Sequence, residues 1–220
     1  MKHPALLLLL LCSAALVAQP APESIKLDNE FVRVLFLTDQ PGAKTPLHQH
    51  EFDRVMIYLD PIRLVLRYED GEVDRQSWRK GQVAWSPGRR LHTGENLMQR
   101  SARVVEVELK KPPSGKPFRI SARDPVTANP KNVRVEFENE SVRVLRCKYA
   151  ANVREPLHEH LSGERLTVAL ENVELSVKTQ GSADRTTKLD AGQPFWSTGP
   201  VVHAAQANRA VELIVIELKN

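Results

Sequence analysis

"PLHQH" at residues 46–50 and "PLHEH" at residues 156–160 are nearly the same five letters, 110 positions apart in a chain of 220. Upstream of them, "NEFVRVLFLTDQPGAKTPLHQH" (29–50) lies on "NESVRVLRCKYAANVREPLHEH" (139–160) without a gap. Downstream, "GQVAWSPGRRLH" (81–92) lies on "GQPFWSTGPVVH" (192–203) at an offset of 111, so one residue has been inserted between the two blocks. Each half then closes on the same kind of segment, "VVEVELKK" (104–111) and "LIVIELKN" (213–220). Self-similarity at one fixed period marks a tandem duplication.

Within each copy apolar residues alternate over short runs such as "RVMIYL", "IRLVLRYE" and "VELSVKT", broken by "EDGE", "SPG" and "STGP". Period two predicts strands, and no sustained helical period appears after the first residues. The fold class expected is all-β: two small tandem barrels of jelly-roll type, because wrapping a sheet on itself protects its edges. The domains expected are 24–111 and 133–220. Between them 112–132 is rich in proline and has no apolar period, so it reads as a linker.

Residues 1–19 are set apart. Lys2 and His3 precede the apolar run "PALLLLLLCSAALVA" and a small-residue zone near Ala18, the pattern of an export signal. The run is shorter than the roughly 20 residues a membrane span needs. The protein is expected to be exported, periplasmic or secreted, with no stable membrane span once the signal is removed. Cys147 is then the one cysteine left, so no intrachain disulfide forms. The formal charge of +4 comes from 31 basic and 27 acidic residues that are interspersed, which argues against a nucleic-acid partner.

Of seven histidines, His3 lies in the signal; the other six are His48, His50, His92, His158, His160 and His203, and all fall on duplicated positions. In a strand, i and i+2 share a face, so His48 with His50, and His158 with His160, point the same way. Two imidazoles on one face can chelate a metal ion. Alone such a pair is a weak signal; repeated with a third histidine downstream in each half, it predicts one metal site per half.

These motifs resemble those of the cupins, small β-barrels that hold a metal inside. The first cupin motif places a glycine, an HxH pair and a glutamate in series; Gly42, His48 and His50 fit it, as do His158, His160 and Glu164, with Asn152 in place of the glycine. The second motif is matched by Gly81, Pro87, His92 and Asn96, and by Gly192 and His203, with Thr198 and Ala207 departing from it. Two copies make the chain resemble a bicupin. The resemblance implies a ligand set of His158, His160, Glu164 and His203 in the second half. In the first it implies His48, His50 and His92, with Asp53 aligned to Glu164 one methylene short of its reach. The ion implied is a divalent transition metal: iron, manganese, nickel, copper or zinc.

The expected function is that of a metal-dependent enzyme on a small oxygen-rich or anionic organic substrate, of dioxygenase, decarboxylase or isomerase type. The alternative is a non-catalytic module that binds a metal or small ligand. Barrels of this kind often pair through sheet edges, so a homo-oligomer stays open. A third possibility is that one barrel works and the other, the first because Asp53 is the weaker ligand, only supports it. Trp85 and Trp196 read as aromatics packing the barrels. Arg54 and Arg165 read as facing solvent, or as paired with the acids before them, Arg89 and Arg90 as a turn or an anion clamp, and Cys147 as an apolar filler.

Overall fold

A computed structural model describes residues 24–219. The expected signal lies outside the described residues. The first half forms β1 (Ser24–Asp28), β2 (Val32–Asp39), β3 (Arg54–Tyr58), β4 (Ile62–Tyr68), β5 (Val73–Trp78), β6 (Val83–Ser86), β7 (His92–Asn96) and β8 (Ala102–Leu109). The second forms β9 (Val133–Glu138), β10 (Val142–Tyr149), β11 (His158–His160), β12 (Glu164–Ala169), β13 (Val173–Thr179), β14 (Arg185–Leu189), β15 (Pro194–Thr198), β16 (Val201–Ala207) and β17 (Val211–Leu218). The one helix among the described residues is α1, a single turn at Pro125–Ala128.

Each half is a sandwich of two antiparallel sheets. A long sheet β1-β2-β8-β3-β6 faces a short one β5-β4-β7; its repeat β9-β10-β17-β12-β15 faces β11-β16-β13-β14. The all-β jelly-roll expectation therefore holds. The duplication reaches the backbone: Gly42 and Asn152, one period apart, both take left-handed φ values of 65° and 59°. Asparagine is among the few side chains that accept this conformation, which is why it can replace the glycine.

The two long sheets pack against each other through their outer faces. Val32, Val34, Val55, Ile57 and Val107 from the first half meet Val144, Leu166, Val168, Ile214 and Ile216 from the second in one core, every one of them fully buried. The long strands are thus buried on both faces, and their near-continuous apolar runs reflect it. The packing is quasi-twofold. A β-carbon on Gly192 would come within 2.7 Å of Leu59, and one on Gly81 within 3.2 Å of Leu170, the residue one period after Leu59. Trp85 sits edge-on to Phe137 of the other half, and Trp196 stacks on Phe31, with ring centroids 6.4 and 5.8 Å apart. Both tryptophans are core aromatics, but the core they pack is the one between the barrels.

The segment 112–132 does more than connect. Asp124 caps α1 and pairs with buried Arg143 through two hydrogen bonds of 2.6 and 2.9 Å. The Arg123 carbonyl accepts from Glu159 N–H at 2.8 Å, pinning the segment beside β11.

Candidate metal centres

The strand register brings the histidines together. His48 and His92 face each other across a bridge, each N–H donating to the other's carbonyl at 3.0 and 2.9 Å, and His158 lies opposite His203 in the β11–β16 ladder. With His50 and His160 two residues on, each barrel gathers three ring nitrogens within 4.8 Å of one another: His48, His50, His92 and His158, His160, His203.

Each ring is aimed. Nδ1 of His48 donates to the Pro46 carbonyl at 2.8 Å, that of His92 to Arg90 at 2.8 Å, and that of His158 to Pro156 at 3.0 Å. A carbonyl only accepts, so the proton sits on Nδ1 and the Nε2 lone pair is bare. Nδ1 of His160 lies 2.7 Å from the Glu217 carboxylate and that of His50 3.3 Å from Glu106. Backing of this kind fixes the tautomer of metal-binding histidines. Burial, with His158 and His160 beside it, pushes His203 down to about 2, and burial also lowers His92 and His158. These rings are neutral at pH 7, the ligand form.

The clusters fit a metal. Nε2 of His48 and of His50 are 3.2 Å apart. Two nitrogens ~2.1 Å from one ion stand about 3.0–3.4 Å apart at octahedral to tetrahedral angles. His203 Nε2 is buried with no hydrogen-bond partner among the described residues. A buried ring nitrogen without a partner is costly unless something is to be bound there.

Neither expected carboxylate belongs to these sets. Asp53 accepts the Gly88 N–H at 2.9 Å, and Glu164 opens β12 opposite Thr198. The reason is strand alternation. Arg54 lies opposite Glu108 and Arg165 opposite Glu217, so these arginines, not the acids before them, occupy the inward position of each barrel. At 5% and 6% exposure Arg54 and Arg165 are buried, which corrects the solvent-facing expectation. Sequence reasoning also missed Glu106, Glu108 and Glu217, which stand behind the histidines. Their signal was acids alternating with valine and isoleucine inside otherwise apolar strands.

The two cavities have diverged. The first, about 420 Å³, is walled by polar and aromatic groups, among them Asp39, Arg54, Tyr58, Asp74, Gln76 and Trp78. Arg54 is neutralised there: Nη1 is 3.3 Å from Glu106 and Nη2 donates to Ser86 Oγ at 2.8 Å. The second, about 200 Å³, is smaller and presents an aliphatic patch of Leu175, Val177, Leu189, Leu213 and Val215 beside Arg165, Arg185 and several hydroxyl side chains. The expectation that the first barrel merely supports the second runs against this polarity. Nor is Arg90 an available clamp: its guanidinium lies 3.7 Å over Tyr68 and pairs with Asp70 and Glu72. Cys147 is buried as expected, and burial pushes its thiol up.

Burial, reinforced by Glu106, raises Asp39 from 3.8 to about 6. A carboxyl raised in the folded state costs stability as it ionises. The cost is absent below the unfolded value, grows between pH 4 and 6, and is complete above. Asp39→Asn is therefore expected to stabilise the fold by up to about 3 kcal/mol at pH 7.5 and not at pH 4, read by denaturant unfolding. The same difference at both pH values would mean that Asp39 does not titrate in this range.

No protein-family profile matches the chain, and no curated protein does. Solved structures do. AerE from Microcystis aeruginosa, 18% identical, matches over 91% of this chain and 98% of its own with a TM-score of 0.62. Salicylate 1,2-dioxygenase from Pseudaminobacter salicylatoxidans, 12% identical, matches over 86% and 71% with 0.58. A variant of oxalate decarboxylase from Bacillus subtilis, 11% identical, matches over 86% and 69% with 0.60. At such identities the likeness shows the fold alone, tandem β-sandwiches of jelly-roll type. The chain is all-β, with jelly-roll sandwiches that each carry a histidine cluster able to hold a metal ion.

Proposed function

We propose that the protein is an exported, metal-dependent bicupin enzyme whose working centre is the first barrel. The substrate is a small oxygen-rich organic molecule. The carrying observation is the juxtaposition of His48, His50 and His92 with a cavity of about 420 Å³ whose walls are polar and titratable. That combination is what chemistry needs, whereas an apolar seal would suit a structural ion. The salicylate dioxygenase and oxalate decarboxylase among the similar structures are in keeping with a cupin enzyme.

A divalent transition ion, when bound, would supply a Lewis-acid or redox centre with open positions, since three imidazole ligands leave coordination sites free. The chain's own part is to bind and to manage protons. Glu106 orients His50 and holds Arg54, so the wall presents donors without net charge from that pair. Asp39, at about 6, gives up or takes a proton near neutral pH. Tyr58, stacked on Trp78 at 4.8 Å and kept protonated by burial, offers a neutral donor.

The test is a screen of untagged protein loaded with Fe(II) or Mn(II) against small carboxylic and hydroxy acids, oxalate and salicylate included, reading oxygen uptake and carbon dioxide release. Turnover that survives His203→Ala and vanishes with His92→Ala supports this reading. Turnover with the opposite dependence overturns it. A non-catalytic binding role has one observation in its favour, the aliphatic patch of the second cavity.

A further inference from the structure

The duplication has left one charge uncompensated. Arg165 is 6% exposed and lines the second cavity with His158, His160 and His203. Among the described residues its hydrogen bond runs from Nη1 to the Gly199 carbonyl at 2.9 Å, and no carboxylate forms an ion pair with it within 4.0 Å. Its counterpart Arg54 has Glu106.

The registers explain the difference. β2 pairs with β8 as Val32 opposite Leu109, and β10 with β17 as Val142 opposite Leu218. Glu108 and Glu217 are therefore equivalent, and the equivalent of Glu106 is Val215. Glu217 is already engaged: it receives His160 Nδ1 at 2.7 Å and lies 3.5 Å from Arg143, as Glu108 lies 3.3 Å from Arg33. The second barrel has thus kept the inward arginine and replaced its acid with valine. Burial pulls the Arg165 pKa down, with Glu217 the more distant charge that opposes the fall. A guanidinium held out of water without a counter-ion is costly to the free protein, and an entering anion relieves that cost.

The rest of the cavity describes the anion. Leu175, Val177, Leu189, Leu213 and Val215 form an aliphatic patch, Thr167 and Ser197 add hydroxyls on the arginine's side, and Tyr149, Thr179, Arg185 and Thr187 line the remainder. About 200 Å³ is room for one ring or a short alkyl chain with its head group; a cavity of roughly 150 Å³ already takes benzene. A bare inorganic anion would leave the aliphatic patch unmatched.

We propose that the second barrel is a binding site for a small monocarboxylate with an apolar body, the carboxylate on Arg165 and the body against the aliphatic patch. The site goes beyond the reading of the first barrel as the working centre and does not require turnover there. Guanidinium and carboxylate pair in a planar, two-point fashion, which gives the site orientation as well as charge.

The test is calorimetric titration of chelator-stripped full-length protein with benzoate, hexanoate and the neutral isostere benzamide. Benzoate or hexanoate is expected to bind, benzamide far more weakly, and Arg165→Met to weaken binding by about 10- to 100-fold. Val215→Glu, which restores the acid of the first barrel, is a second variant with the same expected loss. Both variants are checked by melting, and Arg165→Met is expected to melt no lower than wild type, since it removes an unpaired buried charge. The inference falls if neither carboxylate binds, if benzamide binds as well as benzoate, or if folded Arg165→Met or Val215→Glu binds like wild type. Because the protein is metal-free and no turnover is read, failure here is distinct from failure of the catalytic reading.

Discussion

Gly192→Ala is expected to destabilise the protein by about 3 kcal/mol or more, whereas Gly181→Ala should cost only about 1 kcal/mol. Both glycines have φ near 80°, so a side chain strains the backbone equally at each. They differ in what surrounds them. At Gly181 a β-carbon meets nothing within 4 Å; at Gly192 it would stand 2.6 Å from Phe36 and 2.7 Å from Leu59, inside the core between the barrels. Close-packed cores do not yield by an ångström without losing contacts elsewhere. The shared core also implies that the halves melt together. Two separate transitions in wild type, or equal losses in the two variants, would mean that the long sheets do not pack back to back in solution.

His92→Ala is expected to lower turnover at least 100-fold, while His203→Ala leaves it within about threefold. Removing one of three imidazoles takes away a third of the protein's donors to the ion. Losing even the outer partner of such a ligand usually costs 10- to 100-fold in affinity or activity. The second cluster has equivalent geometry but faces a smaller cavity with an aliphatic patch and no carboxylate in its lining, so its loss should alter metal content and not chemistry. His50 offers an internal check through its backing acid. Glu106→Gln keeps the shape and removes the charge between His50 and Arg54, and should weaken metal binding without unfolding the barrel.

Much of this was legible in the letters. The repeat gave two halves, the period-two runs gave strands, and the confinement of the mature histidines to duplicated positions marked both clusters. What failed was phase. In the second half Ser162 and Gly163 carry the one-residue insertion before β12, so counting from His160 lands on Glu164 while the backbone turns Arg165 inward. A one-residue slip exchanges the faces of a strand, and spacing alone cannot see it. The same counting from His50 did land on Arg54, and the structure gives that arginine the inward place.

The core between the barrels was missed for another reason. The period-two runs were read only as strands, yet "LIVIEL" is apolar at every position but one, the mark of a strand buried on both sides. Glu217 within it is fully buried, and its partner Arg143 is tied to Asp124 in a segment that had read as linker. Such a chain of charges brings together residues far apart in sequence, and no local pattern announces it.

Elemental analysis of the protein, purified without affinity tag or chelator, tests the central claim most directly. Two equivalents of transition metal per chain are expected, falling to one in His92→Ala, to one in His203→Ala, and to none in the double variant. No metal in the wild type, or metal that persists in the double variant, would contradict a metal centre built once per barrel on three histidines.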